Sequence, residues 1–190
     1  MKSLLVVIIF SLSVFGLNAQ SDTIRIQQLL TEITKTPKPR NYQNLDQLNK
    51  TANLIKNEFQ KYLDTVYFQE YKVNGITYKN VVGAINPRGK STLVIGAHYD
   101  VCGNQEGADD NGSGIVGLLE LARLFDTVSM DKRLEFVAYT LEEPPYFRTE
   151  NMGSYIHAKN LFDEKREVEG MIVLEMMAIS QMKRKARIIL

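Results

Sequence analysis

The chain has 190 residues, 44% of them hydrophobic; a chain of this length buries roughly 70% of its unfolded surface and has room for one domain with a substantial core, but not for two full domains. Lys and Arg number 23 against 22 Asp and Glu, so the net charge is +1. No overall field would attract nucleic acid or an anionic membrane, and we expect no nucleic-acid partner.

The N-terminus has the pattern of a secretory signal peptide. Lys2 gives a basic start, residues 3–15 are apolar apart from three serines, and residues 16–19 end in small side chains. The apolar stretch is shorter than the ~20 residues that a membrane-spanning helix needs. We therefore predict a cleaved signal peptide at 1–19, an exported domain at 20–190 that is periplasmic or extracellular, and no transmembrane anchor.

The first half of the chain predicts two helices and a hairpin. Apolar residues at helical spacing predict one helix that is capped by Ser21 and ends before Thr36, and a second helix from Leu45 to Leu63. The period then changes to that of strands on both sides of Asn74-Gly75, a pair of residues typical of a two-residue hairpin turn. We expect an antiparallel pair of strands at this point.

The second half alternates strands with helices. Strands are predicted at 93–98, 134–141 and 168–176, and helices at 115–125 and 152–161. This order favours strands in parallel, and their near-continuous apolar runs agree with burial on both faces. The predicted fold class is α/β, with a mostly parallel, mixed central sheet flanked by helices.

Polar clusters follow the predicted strands, where ligands of such sheets bind. They are His98-Tyr99-Asp100, Asp109-Asp110-Asn111 and Glu142-Glu143, with Glu175 at the end of the last strand. Imidazole and carboxylate groups are the ligands of hydrolytic zinc sites, and such sites also need an unligated carboxylate as a base. The clusters therefore predict a metal-dependent hydrolase.

Each cluster also has a simpler explanation. His98 could merely end a strand, Asp110 or Asn111 could cap the following helix, and Glu142-Glu143 could be an acidic loop. His157 lies in a predicted covering helix, so we expect a surface residue rather than a ligand. Cys102 is the only cysteine, and we expect a free thiol because thiolates favour closed structural zinc sites.

In order and spacing, the four clusters resemble the co-catalytic zinc exopeptidases of metallopeptidase family 28, which include secreted aminopeptidases and glutamate-carboxypeptidase-like enzymes. The resemblance implies a peptide substrate and two zinc ions. It further implies that His98 binds one zinc, that Asp109 bridges both, and that Glu143 is a ligand of the other. Glu175 takes the position of a further acidic ligand.

The same resemblance implies that Glu142 is the general base and that Asp100 orients His98. The predicted function is an exported zinc-dependent exopeptidase, with aminopeptidase as the leading form. Two alternatives stay open: a glutaminyl cyclase, which has the same fold and a single zinc, and a non-catalytic relative that keeps the fold for partner binding. The sequence carries no signal for an oligomeric state.

The resemblance is incomplete towards the C-terminus. Family members have a further histidine ligand downstream, whereas this sequence has no histidine after His157. One permitted codon choice for residues 177–190, read in another frame, encodes Gly-Tyr-Phe-Ser-Asp-Glu, which resembles the family continuation. We hypothesise a C-terminally truncated domain with a frame-shifted tail at 177–190, and we expect little or no activity from it.

Overall fold

The computed structural model describes residues 21–178 and the backbone of residues 188–189. The predicted signal peptide at 1–19 lies outside the described residues, as does most of the 177–190 tail. The helices are α1 (Thr23–Thr34), α2 (Leu45–Phe59), α3 (Gly114–Phe125) and α4 (Gly153–Asp163). The strands are β1 (Thr65–Val73), β2 (Ile76–Ile85), β3 (Ser91–His98), β4 (Arg133–Tyr139), β5 (Glu167–Val173) and β6 (Ile188–Ile189).

The two N-terminal helices form where apolar residues recur at helical spacing. Asp22, rather than the predicted Ser21, caps α1, because its carboxylate accepts the N–H of Arg25 at 3.0 Å. Helix α2 ends at Phe59, four residues before the predicted end at Leu63. Its predicted apolar stripe is confirmed, since these side chains are fully buried: Leu48, Ala52, Ile55 and Phe59.

The strands form one mixed sheet in the order β1-β2-β4-β3-β5-β6. Strand β3 runs parallel to both β4 and β5, and the other neighbours pair antiparallel. The hairpin turn at Asn74 and Gly75 has the positive φ angles of 50° and 80° that such turns require. The predicted α/β fold with a mixed sheet is confirmed, and its parallel portion consists of the three strands that precede the polar clusters.

Helices cover both faces of the sheet. Leu134 and Phe136 of β4 pack in one cluster with α1, α2 and α3, whereas Val137 and Tyr139 pack in a second cluster with Leu161 of α4. Successive strand residues point to opposite faces, so this alternation sets the two layers. Within the described part of the chain, no helix is long and apolar enough to cross a membrane.

Candidate metal centre

The candidate site lies at the carboxyl edge of the three parallel strands. In the parallel register, His98 at the end of β3 lies beside Tyr139 at the end of β4, and Gly96 lies beside Val173 at the end of β5. The loops after all three strands therefore open at the same edge of the sheet. This alignment brings together residues that are far apart in sequence.

His98 is the centre of the cluster. Its Nε2 atom lies 3.2 Å from Asp110 Oδ1, 3.6 Å from Glu175 Oε2 and 3.9 Å from Glu143 Oε1. One ligand atom each from His98, Asp110 and Glu175 lies within 4.8 Å of the other two, which is close enough for the three to hold a single metal ion. The carboxylates of Asp110, Glu143 and Glu175 come from three separate loops, those that follow β3, β4 and β5.

The electrostatics of His98 reflect this surplus of negative charge. Burial opposes protonation of the imidazole, but hydrogen bonds with Asp100, Asp110 and Glu175 outweigh it and hold the pKa of His98 well above its ordinary value. Asp110 Oδ1, the oxygen nearest to Nε2, is buried and makes no other hydrogen bond with the described residues. A buried carboxylate oxygen facing an imidazole nitrogen is a donor set that suits zinc.

Asp100 contacts the other ring nitrogen of His98. His98 Nδ1 lies 3.1 Å from the main-chain oxygen of Asp100 and 3.5 Å from its Oδ1. The carboxylate of Asp100 also accepts the N–H groups of Glu142 and Glu143, at 3.3 and 3.1 Å. Asp100 thus joins the loop after β3 to the loop after β4, and it contacts the ring nitrogen that a metal-binding histidine commonly uses for orientation.

Asp109 does not join the group around His98. Its Oδ1 accepts the N–H of Ala178 at 3.0 Å and lies 3.3 Å from Ser113 Oγ. Asp110 has a non-helical backbone with φ −101° and ψ 97°, and neighbouring side chains of an extended segment point in opposite directions. Only one of the two aspartates can therefore face His98, and the structure brings Asp110 there instead of the expected Asp109.

Asn111 connects this turn to the segment after β5. Its side-chain amide donates to Leu174 O at 2.9 Å and to Glu175 Oε2 at 3.1 Å. Its oxygen accepts the N–H of Gly114 at the start of α3, at 3.1 Å. Asn111 therefore caps the helix, as one of the simpler explanations held, and also positions Glu175. This second contact could not be predicted from the sequence pattern.

Glu142 lies beside the cluster and is held by the start of α4. Its two carboxylate oxygens accept the N–H and the hydroxyl of Ser154, each at 2.7 Å. Burial raises the pKa of Glu142 to about 7, although both bonds from Ser154 oppose the rise. A carboxyl group with such a pKa is suited to exchange protons near neutral pH. Sequence reasoning missed Ser154, whose role depends on a contact twelve residues away.

A cavity of about 390 Å³ opens at these side chains. One side of it is acidic and carries the imidazole, and the other side is apolar. The lining residues are His98, Glu142, Glu143 and Glu175 on the polar side and Pro144, Phe147 and Met152 on the apolar side. Burial and the nearby Asp110 raise the pKa of Glu143. Cys102 is a half-buried free thiol, as expected. It is not among the three residues His98, Asp110 and Glu175 that could hold a metal ion.

His157 is buried, which corrects the expectation of a surface residue. Its Nε2 lies 2.8 Å from Glu135 Oε1, and its Nδ1 lies 3.3 Å from the hydroxyl of Tyr139. Glu135 is an acidic residue within the strand β4, and α4 turns His157 towards it. His157 is not among the three residues His98, Asp110 and Glu175 that could hold a metal ion, in agreement with the sequence-based prediction.

Comparisons with known proteins identify the family of this chain. The model of peptidase family M28 matches residues 80–187. The chain belongs to this family. It is also 40% identical over 160 residues to the uncharacterized protein YfbL of Escherichia coli, a match that covers 80% of this chain and 49% of YfbL. This member of family M28 thus spans about half the length of YfbL.

Two further similarities concern proteins with named activities. The M28 chain is 32% identical over 88 residues to the aminopeptidase YwaD of Bacillus subtilis, covering 45% of this chain and 19% of YwaD. The crystal structure of the glutaminyl cyclase of Tannerella forsythia is similar with a TM-score of 0.65 and 26% identity, over 84% of this chain and 62% of that one. The fold and the family are therefore shared with proteins of two activities.

Proposed function

We propose that this M28 chain is a zinc-dependent exopeptidase that removes amino-terminal residues from peptides. The proposal rests on one observation above all: His98 Nε2 lies between 3.2 and 3.9 Å from carboxylate oxygens of three separate loops, those of Asp110, Glu175 and Glu143. Such convergence of an imidazole and several carboxylates costs repulsion without a cation, and a divalent metal would relieve it.

The residues present fit zinc. His98, Asp110 and Glu175 would hold one ion, and Glu143 supplies a carboxylate for a second ion next to it. Bound zinc polarises a carbonyl group and lowers the pKa of water. The chain itself contributes a base, since Glu142 can take up a proton and return it to the leaving amine, while Ser154 fixes the direction of its oxygens.

An amino-terminal substrate is supported by the charge and shape of the cavity. Carboxylates line the polar side of the cavity, and a carboxylate oxygen left free by the zinc ions can pair with the positive α-amino group of a peptide. Phe147 and Met152 on the other side offer an apolar surface for a substrate side chain. The similarity to the aminopeptidase YwaD supports the same assignment.

Glutaminyl cyclisation is the second candidate. It is supported by the similarity to the Tannerella forsythia glutaminyl cyclase and by a three-residue group that suits a single ion. The two reactions differ in their products, because a peptidase releases a free amino acid, whereas a cyclase releases ammonia from an amino-terminal glutamine.

Since little or no activity is expected of the 190-residue chain, the experiment that separates them uses a zinc-loaded protein extended in the alternative reading frame, incubated with two peptides, one beginning with leucine and one with glutamine. We expect release of free leucine that stops when a chelator removes the metal. Release of ammonia alone would favour the cyclase, and no zinc-dependent product from either peptide would count against an enzyme.

We also propose export, supported by the signal-peptide pattern of residues 1–19. Expression of the full chain in a bacterial host should yield a mature protein that begins at Gln20 and lies outside the cytoplasm. N-terminal sequencing of the fractionated protein tests this, and an uncleaved chain in the cytoplasm would contradict it.

A further inference from the structure

Arg40 is a fully buried cation, with only 1% of its surface exposed. It lies between α1 and α2, outside every motif that the sequence analysis singled out. Its guanidinium group donates hydrogen bonds to main-chain carbonyls: Tyr99 O at 2.8 Å, Gly107 O at 2.5 Å, Ile33 O at 3.4 Å and Glu106 O. Arginine has donors in a fixed fork, so one side chain can bind carbonyls from several segments at once.

Three of these four carbonyls belong to two segments that carry ligands of the candidate metal centre, His98 and Asp110: they are Tyr99 O, Glu106 O and Gly107 O. Tyr99 separates His98 from Asp100, and the main chain of Arg40 itself accepts the N–H of Val101 at 3.1 Å. Gly107 directly precedes the turn Ala108–Ser113 that carries Asp110, and its carbonyl also accepts the N–H of Gly112 at 3.0 Å. Arg40 therefore links the loop after β3 to this turn.

The positive charge of Arg40 interacts with two carboxylates of the acidic cluster, those of Asp100 and Asp110. Burial lowers the pKa of Arg40 to about 10, and Asp100 and Asp110 oppose this decrease. The side chain thus keeps its positive charge at neutral pH. A buried charge is costly unless hydrogen bonds and opposite charges compensate it, and the four carbonyls and two nearby carboxylates provide this compensation.

We infer that Arg40 is a positioning residue for the metal centre, which holds the segment 99–101 and the turn 107–112 in the arrangement that brings Asp110 to His98. It also places a fixed positive charge near the carboxylates of Asp100 and Asp110, which would otherwise repel one another in the metal-free protein. The metal part of this inference rests on the proposed function. The positioning part does not, because it concerns the two segments in the absence of metal.

Three variants test it. Arg40→Lys keeps the charge but loses the fork, and Arg40→Gln loses the charge as well. Arg133→Lys is the matched control, because Arg133 is another largely buried arginine that donates to a main-chain carbonyl, that of Pro87 at 3.3 Å, but lies at the opposite end of the sheet strands from the metal centre.

Two measurements are made on each folded variant. The first is the zinc dissociation constant, by competition with a chromophoric chelator. The second is amide hydrogen exchange of the metal-free protein. We expect Arg40→Lys to weaken zinc binding by about 10- to 100-fold, the range typical of groups that orient metal ligands, and to accelerate exchange in residues 99–112. Arg40→Gln should weaken binding further, and Arg133→Lys should change neither quantity.

Other outcomes would count against either the inference or the proposed function. Wild-type zinc affinity and exchange in Arg40→Lys would overturn the inference. Unfolding of both Arg40 variants beside a folded Arg133→Lys would also overturn it, since Arg40 would then be a residue of general stability. Absence of zinc binding by the wild-type chain would count against the proposed function, and the exchange of residues 99–112 would then decide the role of Arg40 alone.

Discussion

Glu142 and Glu143 are neighbours in sequence that occupy different surroundings. Glu142 is bound through both oxygens to Ser154, at 2.7 Å each, and its pKa is raised by burial to about 7. Glu143 faces His98 instead, with 3.9 Å between Oε1 and Nε2. At the scale of single residues, this difference supports the division of the two carboxylates into a proton acceptor and a metal ligand.

Exchange of each glutamate for glutamine should therefore give different defects. Glu142→Gln keeps the shape but removes the base, so in the protein extended in the alternative reading frame we expect turnover to fall by ~100-fold or more with zinc content unchanged. Glu143→Gln should lose zinc together with activity. Kinetics and elemental analysis on the same preparations measure both quantities. Near-normal activity in both variants would contradict the assigned roles.

At the scale of secondary-structure elements, helix α4 connects the sheet to the candidate metal centre. Gly153 at its start donates its N–H to Thr140 O at 2.8 Å, and its carbonyl accepts from Asn80 Nδ2 at 2.8 Å. One residue later, Ser154 binds Glu142. This arrangement depends on close backbone approach, because a Cβ atom at position 153 would lie 2.1 Å from Asn80 Oδ1 and 2.7 Å from Thr140 O.

Gly153→Ala should displace the start of α4 and with it Ser154. We expect a loss of about 1–3 kcal/mol in the free energy of unfolding, as for other overpacked positions, and lower turnover. Gly170→Ala in β5 is the control, because the nearest atom to its Cβ would be at 3.7 Å, an ordinary contact. Urea unfolding of both variants measures the difference. Equal stability of the two would show that α4 shifts without cost.

Helix α4 also contributes to a buried cluster of charged side chains, which consists of Arg133, Glu135 and His157. Glu135 accepts a hydrogen bond from Arg133 and lies 2.8 Å from His157 Nε2. Burial alone raises the pKa of Glu135, but the contacts with His157 and Arg133 outweigh it and hold the pKa below its ordinary value of 4.5. The ionised form therefore stabilises the fold above pH 4.5, and this contribution is lost as the pH falls through the lower folded pKa.

Glu135→Gln should remove this contribution. We expect the free energy of unfolding to decrease by ~3 kcal/mol at neutral pH, because the largely buried Arg133 keeps its charge without a counter-ion. The difference from the wild type should narrow as the pH is lowered below about 4.5. Denaturant unfolding across this pH range measures it. Asp163→Asn, which removes an exposed pair with Lys159, serves as the control and should change little at any pH. A difference for Glu135→Gln that stays constant with pH would contradict the assignment.

For the whole molecule, we propose that low net charge and an exposed apolar surface allow copies of the chain to associate. The net charge is only +1, and Phe162 on α4 is 82% exposed next to a second cavity, whose apolar lining includes Leu161, Val168 and Met171. Low net charge gives little repulsion between copies, and contiguous exposed apolar surface commonly marks a contact site.

Phe162→Glu should reduce concentration-dependent association, measured by sedimentation velocity. Ile24→Glu is the matched control, since Ile24 is 70% exposed on α1 and the substitution changes the net charge by the same amount. We expect the Phe162 variant to sediment as a monomer at concentrations where the Ile24 variant associates. Equal behaviour of both would show that charge, rather than the surface around Phe162, governs association.

The sequence predicted the elements of this fold better than the contacts between them. Helix and strand periods are local, so α1 to α4 and β1 to β5 could be predicted with small shifts at their ends, and the hairpin at Asn74-Gly75 follows from its turn residues. The strand ends then indicated the edge where His98 and Glu175 meet. These predictions needed only pattern and topology.

Predictions that depended on side-chain direction were less successful. Asp109 and Asp110 are chemically identical, and only the backbone of the turn decides which of them faces His98. His157 was expected at the surface because it lies in a helix that covers the sheet, and its buried partner Glu135 is 22 residues away in sequence. Arg40 gave no signal, since all of its hydrogen bonds go to main-chain carbonyls, which every residue has.

The metal centre is tested most directly by zinc titration of the wild-type chain, Asp110→Asn and Asp109→Asn, with calorimetry and elemental analysis as the readouts. The wild-type chain should bind zinc, Asp110→Asn should lose at least one ion, and Asp109→Asn should bind as the wild type does, because its side chain contacts Ala178 and Ser113 rather than His98. Zinc binding that survives Asp110→Asn but not Asp109→Asn, or a wild-type chain that binds no zinc, would contradict this centre.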